Sequence, residues 1–288
     1  MQFKKGIILA AGKGTRLSPA TNVVSKPLLP IYDKPMLYYA LATLMTAGVR
    51  EVLFITRKED QKIFKRLFKD GKYLGMKFKY AIQKKAVGIP DAMRIGEKFT
   101  NNKPFILALA DNIFVGTGLD KVLKKIACDT STATVLATHA DNPKKSGVIQ
   151  FDKSMNILSI EEKPKKPKSN FIIPGLYFFN KHSIRYTKSI KKSTRGEFEI
   201  IDIIKNHLEN KDLKVVALSR HIKWFDTGDA NEMLIASNFI QKYQNSNNSL
   251  VASIEAIALQ KKWITKIQFQ NLVTKIPNSQ YQLALKKL

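Results

Sequence analysis

The segment Gly6-Ile7-Ile8-Leu9-Ala10-Ala11-Gly12-Lys13-Gly14-Thr15-Arg16-Leu17 restricts the possible folds of this chain more than any other. Residues 6–11 are small and apolar, which suits a strand buried on both faces of a parallel sheet. They run directly into two glycines, a threonine and an arginine. Glycines 12 and 14 permit turns that other residues avoid and keep side chains out of the way, so successive backbone N–H groups can face an anion. Two common phosphate loops are excluded by spacing. A P-loop needs Gly-Lys followed by Ser or Thr at the end of its glycine frame, and a dinucleotide fingerprint needs a third glycine where Leu17 stands. The glycines alone fit an unliganded turn equally well. Arg16, and Lys26 within Ser25-Lys26-Pro27-Leu28-Leu29-Pro30, add two fixed cations beside that turn and point to a polyphosphate.

Strands and helices then alternate as far as residue 139, which predicts a doubly wound nucleotide-binding half. Asp33 is placed to cap a helix with Pro35 in its first turn, Leu37, Leu41 and Leu44 on one face, and Gly48 at its stop. Residues 51–56 read as a strand, 59–69 as a helix, and 76–82 as a strand that delivers Gln83 to a loop. A helix over 91–99 precedes an apolar strand over 105–110 that ends in Asp111. A carboxylate at the C-terminal end of a central parallel strand stands where open α/β sheets bind ligands. It suits a hard cation such as Mg²⁺, with a helix cap or a loop salt bridge as the alternative. Beyond residue 140 the pattern changes to strands over 147–151, 157–162 and 171–179, a helix from Gly196 to about residue 208, and a strand over 213–218. Asp226, within Trp224-Phe225-Asp226-Thr227-Gly228, fits an N-cap for a helix that starts near Ala230. From there the chain is helical, interrupted by Asn245-Ser246-Asn247-Asn248-Ser249.

Net charge is the unusual feature of the composition: 49 Lys and Arg stand against 23 Asp and Glu, a balance of +26. Such a field attracts nucleoside triphosphates and sugar phosphates, and equally nucleic acid and anionic membranes. The lysine pairs are scattered and are not interleaved with aromatics along one face, so they fit a solvated surface better than a nucleic-acid interface. A single cysteine, Cys128, excludes an internal disulfide and a cysteine zinc site, and reads as a small buried residue near a helix end. His139, His182, His207 and His221 lack metal-ligand spacing. No segment approaches the roughly 18 consecutive apolar residues of a membrane span, and the first apolar run is too short for a signal peptide. The expected location is the cytoplasm.

Several motifs recur in one order: Leu-Ala-Ala-Gly-Lys-Gly-Thr-Arg-Leu at 9–17, Ser-Lys-Pro-Leu-Leu-Pro at 25–30, and Tyr32-Asp33-Lys34-Pro35-Met36. Ala110-Asp111-Asn112-Ile113-Phe114, Ile160-Glu161-Glu162-Lys163-Pro164, Arg195-Gly196-Glu197-Phe198-Glu199-Ile200 and the 224–228 run follow. Together they resemble the sugar-1-phosphate nucleotidyltransferases nearly end to end, and most closely the branch that transfers thymidylyl groups.

The resemblance implies an α/β fold: a doubly wound, mostly parallel, Rossmann-like sheet with a small sugar-binding β region and a helical C-terminal extension. Residues 1–229 would form the nucleotidyltransferase domain, split near 140 into nucleotide and sugar-phosphate halves, with 230–288 as an assembly and regulatory region. Leu9, Ala11, Gly12, Gly14, Thr15, Arg16 and Lys26 would hold the nucleotide. Gln83 would read the base edge, and Gly88 would let the base approach. Asp111 and Asp226 would hold Mg²⁺, while Gly147, Glu162 and Lys163 would hold the sugar and its phosphate. Arg16, Lys26 and Lys163 would be the catalytic cations. The implied substrates are dTTP and glucose 1-phosphate, and the implied assembly is a homotetramer with a second, regulatory nucleotide site. Uridylyl or cytidylyl transfer, a silent nucleotide-sugar sensor and a basic nucleic-acid binder are the rival readings. The sequence departs from the thymidylyl branch at Ala11, Pro27, Ala110 and Ser146 and in the loop Gly88-Ile89-Pro90-Asp91-Ala92, while the cationic and acidic positions are intact.

Overall fold

β1 (Lys5–Ala10) runs through the middle of the central sheet. In the computed structural model, which describes residues 2–154 and 156–288, β2 (Glu51–Thr56) lies parallel to it on one edge and β3 (Lys77–Ile82) parallel to β2. β4 (Phe105–Leu109) lies parallel to its other edge, with Leu9 level with both Ile55 and Leu109. Alternate side chains of a strand point to opposite faces. Ile8 and Phe54 therefore enter one core with Leu41, Leu44, Phe64 and Phe68, while Ile7 and Leu53 enter a second core with Met93 and Ile203. Helices α1 (Met36–Thr46) and α2 (Gln61–Phe68) supply the first layer, and α3 (Ile89–Ile95) faces the second. Gly6 lets α1 lie close, since a Cβ there would stand 2.7 Å from Leu44 Cδ1.

The other half of the sheet is antiparallel where it joins. β10 (Leu176–Phe179) runs antiparallel between β4 and β6 (Ala133–His139), and α4 (Leu119–Ala127) precedes β6. The sheet continues through β9 (Phe171–Ile173) and β7 (Gly147–Phe151) to β8 (Ile157–Glu162), while β11 (Leu213–Ala217) adds to β6 in parallel. The sheet is thus mixed, with its parallel core formed by the strands of residues 5–109. A separate ribbon pairs β5 (Asn112–Gly116) with β12 (Ile222–Asp226) in antiparallel register. α5 (Ile200–Glu209) packs over the second core. α6 (Ala230–Asn247), α7 (Ile254–Gln260), α8 (Lys266–Val273) and α9 (Gln280–Leu285) complete the chain. No helix among the described residues is long and apolar enough to cross a membrane.

Several local expectations are corrected by tertiary contacts. The expected strand over 171–179 is broken at Pro174-Gly175, because proline has no N–H for the ladder and the Gly175 N–H instead donates to Asn112 Oδ1 at 2.8 Å. Pro35, not Asp33, stands at the N-cap of α1, and the Asp33 carboxylate pairs with Lys34 and accepts from Gln244. The helix expected from residue 91 already starts at Ile89, and that expected from Gly196 starts only at Ile200. Bridges from Phe198 to Gly88 and Lys192 hold the latter approach extended. Asp229 caps α6 by accepting from the Glu232 N–H, which frees Asp226 from that role. Cys128 is exposed just beyond α4, because the apolar stripe of that helix ends at Ala127.

Phe54 is fully buried, with ring centroids 5.2 Å from Phe68, 5.3 Å from Phe78 and 5.5 Å from Tyr80. Phe54→Ala is expected to lower the free energy of unfolding by about 3–5 kcal/mol, measured by urea denaturation.

Candidate active site

One cavity is built where β1 stops. Gly14 adopts a left-handed backbone (φ 68°), and a Cβ there would stand 2.9 Å from Lys26 Cβ, so the loop lies directly against the lysine. Gly12 is not in the left-handed region and nothing lies within 4 Å of where its Cβ would be. Its use is clearance, not the turn expected of it. Thr15–Leu17 forms a single tight turn that carries Arg16. The Arg16 guanidinium lies on Gly228, where a Cβ would approach Nη2 to 2.5 Å. Lys26 opens another short turn, is 8% exposed, and places Nζ 2.6 Å from Asp111 Oδ2. A cavity of about 340 Å³ lies among Leu9, Gly12, Gly14, Thr15, Arg16, Lys26 and Asp111. Ala11 is buried and does not line it.

Two carboxylates meet at the centre of the site. Asp111 follows β4, and its backbone carbonyl accepts from the Thr227 N–H at 3.0 Å and from Thr227 Oγ1 at 2.8 Å. Its side chain accepts from Asn112 Nδ2 at 3.0 Å. Asn112 Oδ1 in turn accepts from the Gly175 N–H and, at 2.7 Å, from Trp224 Nε1. Asp226 sits level with Asn112 across the β5–β12 ribbon. Burial opposes ionisation of Asp111, but the Lys26 ammonium, the Asn112 amide and the backbone N–H together outweigh it and hold the carboxyl below its ordinary range. Asp226 is pushed up by burial and by the Asp111 charge, with Lys26 and Arg16 offsetting only part of this.

A second cavity of about 630 Å³ shares Arg16, Ile89, Leu109 and Asp111 with the first. Gly147, Glu162, Lys163 and Asp226 line it, as do Tyr177 and Arg195. Gly147 is packed on Ile201, whose Cδ1 would lie 2.6 Å from a Cβ. Lys163 has a positive φ of 42° and donates its N–H to the Ser146 carbonyl at 3.1 Å, which turns it off the end of β8. Its Nζ is 3.6 Å from Glu162 Oε1, and Arg195 is 3.8 Å from the same oxygen. Burial raises the Glu162 pKa, and Glu199 adds to it against Lys163 and Arg195. Burial and the charges of Glu162 and Asp111 keep the Tyr177 hydroxyl protonated well above its ordinary range.

Gln83 and Gly88 line neither cavity. Gln83 is 5% exposed, and its amide donates to Asp91 Oδ2 at 2.9 Å and to the Gly88 carbonyl at 3.3 Å. Gly88 has φ 110° and bridges Phe198, whose O would lie 2.1 Å from a Cβ, so a side chain is excluded on both counts. Ile89, next to Gly88 in the chain, lines both cavities. Asn112, Tyr177 and Gly228 escaped the sequence reading. Asn112 adjoins Asp111 and Gly228 closes the 224–228 motif, but Tyr177 gives no sequence signal inside an apolar strand.

Among the described residues, no group of three or more His, Cys, Asp or Glu is placed to hold a metal. Two converging carboxylates nevertheless fit Mg²⁺, which uses one or two from protein and takes the rest of its shell from phosphate and water. The elevated Asp226 marks uncompensated negative charge that such an ion would neutralise.

Residues 5–243 match the nucleotidyl transferase family model, and the chain belongs to that family. It is 43% identical over 284 residues to glucose-1-phosphate thymidylyltransferase of Neisseria meningitidis, with 99% of each chain covered. The enzyme of the same description from Neisseria gonorrhoeae is 45% identical over 262 residues, with 91% of each covered. Among solved structures, UDP-glucose pyrophosphorylase complexed with UDP-glucose superposes with a TM-score of 0.74 at 25% identity, over 84% of this chain and 99% of that one.

Asp226→Asn is expected to raise Tm at pH 7.5. A carboxyl with a raised folded pKa destabilises the fold once ionised, so the gain from removing it is present above that pKa. It should shrink as pH falls through the folded pKa toward the unfolded value of about 3.9 and vanish only at about pH 3 and below, where Asp226 is protonated in folded and unfolded chains alike. Thermal melts of both proteins across this range measure it.

Proposed function

We propose that the chain transfers a thymidylyl group from dTTP to glucose 1-phosphate, giving dTDP-glucose and pyrophosphate. The observation that supports this most is the convergence of Arg16, Lys26, Asp111 and Asp226 on adjoining cavities, with Lys163 on the far wall. The sugar phosphate's second pKa is about 6, so its attacking oxygen is ionised at neutral pH and needs no general base. What the reaction needs is two mutually repelling anions held in line. Arg16, Lys26 and the backbone of 12–15 would hold the triphosphate, with Leu9 and Ala11 beneath. Lys163 would turn the sugar phosphate toward the α-phosphorus, and Glu162 would accept sugar hydroxyls beside Gly147. Gln83 and Gly88 would bound the base. Asp111 and Asp226 would hold Mg²⁺, which when bound supplies positive charge to the phosphate oxygens.

Thymidine and glucose as partners are supported by the near full-length relatives of that description. Uridylyl transfer is the second reading, favoured by the fold shared with UDP-glucose pyrophosphorylase. We assign 1–229 to catalysis and 230–288 to assembly as a homotetramer. Leu234 and Ile235 on α6, 61% and 53% exposed, are candidate contacts. The same C-terminal region is assigned the regulatory nucleotide site. Cytoplasmic location accords with these soluble substrates.

A panel of nucleoside triphosphates against sugar 1-phosphates, read by pyrophosphate release, tests the assignment. dTTP with glucose 1-phosphate should be turned over fastest, and chelation of divalent metal should abolish the signal. Asp111→Asn and Lys163→Ala should each lower kcat by at least about 100-fold, the scale of lost electrostatic catalysis. Near-normal turnover in folded variants would reject those roles.

A further inference from the structure

We propose that Asp60 is a positioning residue for Lys26, acting through Ser25. The inference rests on the proposed role of Lys26 toward the triphosphate. Ser25 occupies the N-cap of the turn Lys26–Leu28, where a serine ordinarily folds its hydroxyl back onto the turn's own N–H groups. Here it makes no such bond. Its Oγ instead donates to Asp60 Oδ2 at 2.9 Å, across 35 residues of sequence. Ser25 is 4% exposed and Asp60 5%, so water does not compete for the contact.

Asp60 likewise gives up a cap. It stands at the N-cap of α2 without a side-chain bond to that helix. Both of its oxygens face Arg57, with Nε 2.7 Å from Oδ2 and Nη2 3.0 Å from Oδ1. This two-pronged geometry fixes the plane of the carboxylate and so aims the oxygen that Ser25 meets. Buried ion pairs are weak sources of stability compared with apolar packing, so the arrangement is better explained by geometry than by energy. Lysine is long and flexible, and anchoring the preceding residue narrows the volume its ammonium explores.

The test measures KM for dTTP, KM for glucose 1-phosphate and kcat by pyrophosphate release. The proteins are Ser25→Ala, Asp60→Asn, Lys26→Ala and the two doubles with Lys26→Ala, with circular dichroism to verify folding. Ser25→Ala should raise KM for dTTP, or lower kcat, by about 10-fold in total while KM for glucose 1-phosphate moves less than about 2-fold. In the Lys26→Ala background the same substitutions should add less than about 2-fold, because residues acting through one group are not additive. Full additivity, or constants for Ser25→Ala within about 2-fold of the parent while Lys26→Ala is impaired, overturns the positioning role alone. Unchanged constants in Lys26→Ala would instead overturn the reading of Lys26 and this inference with it. Ser25→Ala removes only a hydroxyl, so the result stands even if Asp60→Asn fails to fold.

Discussion

The Lys26–Asp111 contact joins segments 85 residues apart at 2.6 Å, and the rest of the cleft is arranged around it. It exists because β1 and β4 lie side by side in parallel, so their C-terminal ends, with the loops that follow, open on the same edge of the sheet. Gly14 then lets the first loop lie against the lysine, and Thr227 fixes the second from behind through the Asp111 carbonyl. A charge brought out of water must be compensated locally or it neutralises. Lys26 compensates Asp111 and leaves Asp226, next to it, without an equal partner. That imbalance is what makes the pair suited to a divalent cation arriving with phosphate.

The second cavity depends on an interruption of regular structure. The break at Pro174-Gly175 lets one stretch of chain serve two parts of the sheet: β9 turns toward β7, and β10 stays between β4 and β6. Gly175 thereby reaches Asn112, whose amide also holds Trp224 and Asp111. A single asparagine thus links the central sheet, the β5–β12 ribbon and the acidic centre. Buried polar groups are tolerated when satisfied, and such a network admits few alternative arrangements.

The C-terminal helices are joined to this framework by polar contacts as well as apolar ones. Gln244 donates to Asp33, and Tyr281 donates to Glu255 at 2.5 Å. Lys34 lies over the rings of Tyr39 and Tyr281. Burial raises Glu255 and lowers Lys34, the direction expected when charge is sequestered from water. The helices therefore grip the residues that lead into α1, a short distance along the chain from Lys26.

Local chemistry was enough to read the strand into the Gly12–Arg16 loop, the carboxylate at the end of β4, the strands at 147–151 and 157–162, and the helical end of the chain. Each follows from periodicity or from residues whose backbone limits are intrinsic, and the ordered motifs added the family. Those signals are carried within a few residues and survive any packing. What only the tertiary structure decided are choices between partners far apart in sequence. Asp33 and Asp226 both looked like helix caps, but Lys34 and Gln244 claim the first, and Asp229 takes the cap from the second. Asn112, Tyr177 and the Ser25–Asp60 contact are likewise invisible to local pattern, because a hydrogen bond or a cavity wall depends on which strand lies next to which. Residue type set what each group could do; the parallel sheet set which groups would meet.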